Sequence, residues 1–393
     1  MPPTDIIDLK EGRFARLEAI EWWDQALLAR TRVLVIGAGA LGNEVIKNLA
    51  LLGVGRIVVI DMDRVELSNL SRSVLFRAED EGRPKAECAA EAARGIFAGV
   101  QIVPVTGNVL ADLGLGCFRW ADVVLGALDN REARVFVNAA CARVGRPWFD
   151  GGIEVLHGVA RGFAPPATAC YECTMSEVDW QLLNKRRSCS LVARRAAVER
   201  GTPTTPTTAS IIAAIQVQEM VKHVHGRPAL LGRGFLFDGA GHSSYSVQYT
   251  ILPGCPWHEP PAPVESVPRF GAETRLGEIW EWAGRRLGGV DALEFARELA
   301  ERLDCPGCGA QRPLLRQVDL VRADDLVCAT CGGECAPVFL HSVQAGSPLL
   351  PRRVREIGLP RWDILWARRG NDILGIELAA DRLWPDGSGS GGN

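Results

Sequence analysis

Cysteine, histidine, glycine and a few charged residues carry most of the chemistry legible in this chain of 393 residues. Cys170-Tyr-Glu-Cys173 and Cys255-Pro-Trp-His258 form a CxxC and a CxxH pair. Two-residue spacing lets both side chains of a pair reach one tetrahedral Zn²⁺ from a single turn. With 81 residues between them the pairs make no compact finger, and together they would staple distant segments of one domain. The alternative is that Cys255 and His258 hold no metal. Cys305-Pro-Gly-Cys308 and Cys328-Ala-Thr-Cys331 lie 19 residues apart, the spacing of a zinc ribbon, with Cys335 a spare thiol beside them. Cys189 is different. It stands alone among Lys185, Arg186, Arg187, Arg194 and Arg195. Nearby cations favour the thiolate, the form that attacks a carbonyl, so Cys189 is the candidate nucleophile. It reads alternatively as an exposed loop cysteine or one serving persulfide chemistry. Cys88, Cys117 and Cys141 fall in apolar or helix-like runs and read as core.

Gly37-Ala-Gly39-Ala-Leu-Gly42 follows a strand-like run and opens a helix-like one. Such glycines let backbone approach a phosphate, whose charge the N–H groups of a helix N-terminus stabilise. Asp61 ends the next strand-like run 19 residues beyond Gly42, placed for a ribose hydroxyl. Alone, these features fit a dinucleotide dehydrogenase. Asn69, Arg72, Lys85 and Asp129 tip the balance. A dehydrogenase needs no extra cations at its pyrophosphate, whereas ATP needs two cations and a carboxylate-held Mg²⁺ to neutralise the triphosphate and its leaving group. The alternative for Arg72 and Lys85 is surface pairing with Glu79 or Asp80.

The elements that must position these residues alternate. VLVIG (33–37), RIVVID (56–61), VQIVPV (100–105) and ADVVLGALD (121–129) read as buried strands, and NEVIKNLALLG, PKAECAAEAARGI and REARVFVNAACARVG as amphipathic helices between them. That alternation predicts an α/β fold with a mainly parallel, Rossmann-like sheet covered on both faces. Residues 1–30 read as a helical arm, 31–258 as the main domain and 259–273, with four prolines, as a linker. Residues 274–385 form a smaller domain interrupted by the ribbon at about 302–336, and 386–393 a disordered tail. A net charge of −3 excludes a general pull on polyanions, so no nucleic acid is expected. No apolar run approaches the roughly 20 residues of a membrane span, and the first residues lack the apolar core of a signal peptide. The expected compartment is the cytoplasm, where cysteines are thiols or metal ligands.

GAGALGNEVIKNLALLGVG, DMDRVELSNLSR, GRPKAE, LDNREAR and FDGGIE together resemble the adenylation domain of the activating enzymes (E1) of ubiquitin-like proteins, the ThiF/MoeB/E1 superfamily, over about residues 13–258. The resemblance implies that ATP and the C-terminal carboxylate of a small β-grasp protein form an acyl-adenylate and pyrophosphate. It implies Asp61 on the ribose, Asn69, Arg72 and Lys85 on the phosphates, and Asp129 on Mg²⁺. The usual Gln after the arginine is Ser73 here. RFAR (Arg13 to Arg16) occupies the place of an arginine element reaching into a partner subunit's site. By position the inserted residue is Arg16, and since the chain carries both finger and site, a homodimer is the simplest assembly.

ACYECTMSEVDW and SCSLVAR resemble the thioester-cysteine region of the catalytic subunit of the NEDD8-activating enzyme. The resemblance makes Cys189 the thioester residue, on a crossover loop over 174–208. RLGEIWEWA, LHSV and a helix ending in GL resemble that enzyme's ubiquitin-fold (β-grasp) domain, which implies a module recruiting an E2-like conjugating enzyme. Trp280, Trp282 and Trp362 read either as anchors for that interface or as core. A compact single-chain enzyme of this kind implies a prokaryotic conjugation system. The alternative function is activation of a sulfur carrier for thiamin or molybdopterin without an enzyme thioester.

Overall fold

The computed structural model describes residues 12–188 and 203–384, with backbone alone over 184–188. Strands β1 (Arg32–Ile36), β2 (Arg56–Asp61), β3 (Gln101–Thr106), β4 (Val123–Gly126), β5 (Trp148–Glu154), β6 (His157–Phe163), β7 (Arg233–Asp238) and β8 (Ser243–Gln248) form one sheet ordered β3-β2-β1-β4-β5-β6-β7-β8. The first five are parallel neighbours, and β5 to β8 run antiparallel. Strand alternation divides the core. Val33, Val35, Ile57 and Val59 face helices α3 (Ala40–Leu51), α4 (Lys85–Ile96) and α8 (Pro206–Val224). Leu34, Ile36, Val58 and Ile60 face α5 (Leu115–Trp120) and α6 (Arg131–Val144). The expected two-sided α/β architecture is therefore present.

Helices α6 and α8 begin where the sequence supplies a partner for free N–H groups. Asn130 caps α6 by accepting from Ala133 N–H at 2.8 Å, and Thr205 caps α8 ahead of Pro206. The N-terminal arm is not one helix. It breaks into α1 (Ala15–Glu18) and α2 (Gln25–Arg30), the latter capped by Asp24. The segment expected to be a loop over 174–208 begins with α7 (Glu177–Ser188), whose Trp180 and Leu183 pack beside Trp148 and Tyr171.

A second sheet runs β11 (Gln311–Gln317)-β10 (Ala292–Asp304)-β13 (Ile364–Arg369)-β14 (Asp372–Leu378)-β9 (Val264–Val267), with β12 (Ala336–Gln344) paired to β10. Helix α9 (Leu276–Leu287) packs Leu276, Ile279 and Trp282 across it. The proline-rich stretch read as a linker contributes β9, which lies parallel to β14. Its prolines flank the strand, and at an edge no donor is missed. The helix expected over SPLLPRRVREIGL is only a 3₁₀ turn at Val354–Ile357, after Pro351. The two sheets share a core: Trp362, Ile364 and Trp366 pack with Leu113, Leu115 and Phe118. Gly116 N–H donates to the Trp362 carbonyl at 2.9 Å, and a Cβ at Gly116 would fall 2.3 Å from the Trp362 ring. Trp282 and Trp362 are buried, so they belong to the core and not to an exposed interface.

Candidate functional site

The strand order reverses between β1 and β4, so the crevice at the carboxyl ends of these strands is where an α/β sheet binds ligand. Three glycines build one wall, each for a different reason. Gly37 adopts φ +97° between Ile60 and Ala127, where a Cβ would lie 2.3 Å from the Ala127 carbonyl oxygen. Gly42 lies against the loop itself, where a Cβ would come within 2.0 Å of the Gly37 carbonyl. Gly39 meets nothing within 4 Å and is the N-cap of α3 without a side-chain partner. Helix N–H groups thus face open space, the arrangement that accepts a phosphate.

Asp61 closes the loop from β2. Its carboxylate accepts from Ala38 N–H at 2.6 Å and from Asp63 N–H at 2.8 Å. Burial pushes the Asp61 carboxyl up from its ordinary value, against the pull of these two donors and the Lys85 charge. Lys85, the first residue of α4, pairs with Asp63 at 2.9 Å and not with Glu79 or Asp80. Arg72 donates to the Ser68 carbonyl at 2.9 Å and makes no ion pair among the described residues. Asn69 is buried in the 3₁₀ turn Leu67–Ser71, where its Oδ1 accepts from Glu66 N–H at 3.0 Å. Ser73 is buried as well. Asp129 stands exposed beyond β4, accepting from Asn130 Nδ2 at 3.0 Å. One exposed carboxylate just beyond β4, the strand at which the order reverses, suits Mg²⁺, which is commonly held by one or two carboxylates plus substrate phosphates.

Asn43 is a site residue the sequence reading missed. Fully buried, it donates to the Ala38 carbonyl at 2.6 Å and accepts from Leu75 N–H at 2.8 Å, tying the glycine loop to the segment just after Arg72. Its place one residue past Gly42 in GALGNE was the available signal.

Arg13 and Phe14 are anchored within the chain. Arg13 donates to the Ile96 carbonyl at 2.8 Å and lies over the Phe97 ring, which Phe14 meets edge-on at 5.5 Å. Phe14 also covers Gly53, just past α3, whereas the glycine loop opens that 12-residue helix. At 1.5 Å per residue the two ends are about 18 Å apart. Arg16 is exposed, without an ion pair among the described residues, two residues beyond Phe14, which packs at the Gly53 end of α3.

Sγ atoms of Cys170 lie 3.7 Å from Cys173 and 3.6 Å from Cys255, and Cys173 Sγ lies 3.1 Å from His258 Nε2. In the ribbon, Cys305–Cys331 and Cys308–Cys328 are 3.5 and 3.6 Å apart. Tetrahedral sulfurs 2.3 Å from zinc sit about 3.8 Å from one another, so both sets fit the ion. Cys335 is buried beside the ribbon but outside its set of four. Burial pushes the Cys88 thiol up to about 11 and raises those of Cys117 and Cys141, which makes them core groups and not nucleophiles. Cys189 lies outside the described residues. No helix among the described residues is long and apolar enough to cross a membrane.

The chain is 41% identical over 157 residues to the NEDD8-activating enzyme E1 catalytic subunit of Arabidopsis thaliana, a match covering 37% of this chain and 34% of that protein. It therefore spans about a third of that relative's length. It is 34% identical over 240 residues to the SAMP-activating enzyme E1 of Haloferax volcanii, covering 59% of this chain and 82% of that protein. Among solved structures, E. coli MccB with ATP matches with a TM-score of 0.53 at 22% identity, over 64% of this chain and 74% of that one, which shows a shared fold. The family model of the ThiF family matches residues 12–252, and the chain belongs to that family.

Proposed function

We propose that the chain activates a ubiquitin-like protein: it adenylates the protein's C-terminal carboxylate, takes it onto Cys189 as a thioester, and passes it to an E2-like conjugating enzyme. The observation that carries the reading is the open phosphate cradle at Gly39 with Asp61, Lys85 and Asp129 at the same sheet crevice. The named activating-enzyme relatives support the substrate class.

In this reading Asp61 orients the ribose, and the α3 N-terminus holds the phosphates in line for attack. The carrier's carboxylate oxygen attacks the α-phosphorus, and the bond to the pyrophosphate oxygen breaks. Asn69 donates to the phosphates while Arg72 and Lys85 neutralise the departing charge. Asp129 would hold Mg²⁺, which supplies a counter-charge to the triphosphate. The Cys189 thiolate then attacks the acyl carbonyl and AMP leaves, so no redox partner is needed. Arg16 serves the neighbouring subunit of a homodimer, because its own site lies at the far end of α3. The second sheet, joined to the first through a common core, presents a fixed surface for the E2-like enzyme.

A second reading stops at the acyl-adenylate and feeds a sulfur carrier. In it, adenylation rests on Asp61, Asn69, Arg72, Lys85 and Asp129, and Cys189 has no part. Intact-mass analysis without reductant, after incubation with MgATP and a ubiquitin-like protein, separates the readings. A thiol-sensitive adduct is expected on wild type and not on Cys189→Ala. Acyl-adenylate with no adduct supports the second reading, and retention of ATP–pyrophosphate exchange and of the adenylate in Asp129→Ala overturns the assignment of Asp129 to Mg²⁺ in both readings.

A further inference from the structure

Arg134 stands one turn into α6, yet its side chain is buried. Its guanidinium divides among three acceptors. Nε donates to Asp150 Oδ1 at 2.9 Å, and Nη2 donates to the Leu128 carbonyl at 2.5 Å and the Gly151 carbonyl at 3.0 Å. Leu128 immediately precedes Asp129, and Gly151 lies on β5, the strand beside β4. One planar fork therefore joins the backbone beyond β4 to the backbone of its neighbour. Asp150 is fully buried, and its second oxygen accepts from Arg161 Nε at 3.1 Å.

The same strand ends are held from the opposite face. Gln216 on α8, fully buried, donates from Nε2 to the Gly126 carbonyl at 2.9 Å and to the Phe149 carbonyl at 3.2 Å. Asn130 holds the turn from the front through its cap on α6 and its bond to Asp129. So much fixation surrounds a carboxylate that is itself exposed. A group that must meet a metal-bound phosphate loses most of its value when it is misplaced by about 1 Å, which is what such supports prevent.

We infer that Arg134 is a positioning residue for nucleotide activation: by bridging the Leu128 and Gly151 carbonyls against the Asp150 counter-charge, it sets the Asp129 turn for a magnesium-bound triphosphate. The inference rests on the nucleotide reading proposed above. Lysine at this position keeps the charge but offers no fork to span three acceptors. Arg161 is the internal control, since it bonds Asp150 and not the Leu128 turn.

The test is calorimetric titration of the full chain with ATP over a series of Mg²⁺ concentrations and in EDTA, alongside thermal unfolding. Failure of the wild type to bind ATP in Mg²⁺ overturns the nucleotide reading itself, and the inference with it. Given wild-type binding, Arg134→Lys is expected to raise the half-saturating Mg²⁺ concentration about tenfold, as loss of an outer-shell partner does. Its ATP affinity in EDTA stays unchanged, and Arg161→Lys shifts neither quantity. A wild-type Mg²⁺ dependence in Arg134→Lys, or an equal shift in Arg161→Lys, overturns the inference. Should Arg134→Lys fail to fold, the isosteric Asp150→Asn gives the same reading: a shift in the same direction supports it and an unchanged Mg²⁺ dependence overturns it.

Discussion

The staple at Cys170, Cys173, Cys255 and His258 and the ribbon at Cys305, Cys308, Cys328 and Cys331 use the same two-residue spacing, yet they are embedded differently. The backbone hydrogen bonds around the ribbon cysteines are local. Cys305 N–H donates to the Ala310 carbonyl and Gly309 N–H to the Cys305 carbonyl, and Cys328, Gly332 and Gly333 repeat the pattern. Gly309 and Gly332 take φ +73° and +72° at equivalent places, so the halves are two copies of one turn. Cys308 and Cys331 are exposed. The staple instead joins segments 85 residues apart, and its surroundings are a network. Tyr171 N–H donates to Asn138 Oδ1 at 2.9 Å, Trp257 Nε1 to Glu172 Oε1 at 2.6 Å, and Pro166 offers its carbonyl to His258 Nδ1 at 3.4 Å. Asn138 lies on α6, the helix that follows Asp129. One set thus closes two local turns above a small apolar cluster, and the other ties distant segments of the chain together next to the site.

The largest expected effect breaks the staple. Cys170 is fully buried, and Cys170→Ser puts a poorer metal donor where four groups must meet. Zinc per chain, measured by plasma mass spectrometry, is expected to fall by one ion, and ATP–pyrophosphate exchange to disappear because α6 loses its anchor. Full exchange in a zinc-depleted Cys170→Ser protein would show the two sets to be equivalent, and the comparison would collapse.

The next effect concerns the joint between the two regions. Arg297 on β10 is buried over the Phe136 ring at 4.9 Å, 3.6 Å from Asp363, and it donates to the Leu110 and Leu113 carbonyls. Asp363 is itself buried, accepting from Leu115 N–H at 2.9 Å. Arg297→Ala strands that carboxylate, and removing one partner of a buried pair costs about 3–5 kcal/mol. Denaturant unfolding is expected to show the loss in the second sheet. A cost under about 1 kcal/mol, typical of exposed pairs, would mean the sheets do not stabilise each other.

What the sequence disclosed divides along the same line. Metal pairs and the glycine loop are legible because their geometry is set within a few residues: a knuckle needs its two cysteines, and Gly37 needs its own positive φ. Residues that act across the fold lie in the quoted motifs without showing what they bond. Asn43, Asp150 and Arg134 are ordinary polar letters until the strand order brings their partners near. Local preference also misleads where packing decides. ALEFARELAERLD is rich in helix-favouring residues, yet it forms β10 because Leu293, Phe295 and Arg297 alternate inward. The proline-rich stretch hides β9 for the converse reason, since an edge strand tolerates what a central one does not.

The smallest expected effect on adenylation comes from Cys308→Ser. Cys308 is exposed, and the apolar cluster beneath the ribbon, with Leu303, Val318, Val321 and Leu326, remains to hold its strands. Zinc should again fall by one ion per chain, as in Cys170→Ser, but for a different reason and with a different reach. Amides over residues 305–335 should exchange faster with deuterium, while those of α6 and the glycine loop keep their protection. ATP–pyrophosphate exchange should stay at the wild-type rate. The equal zinc loss makes the pair decisive: two variants each lacking one zinc ion, from different sites, differ in what that ion was holding. Faster amide exchange reaching α6 in Cys308→Ser would mean that the ribbon, too, braces the site, through the shared core at Trp362 and Phe118.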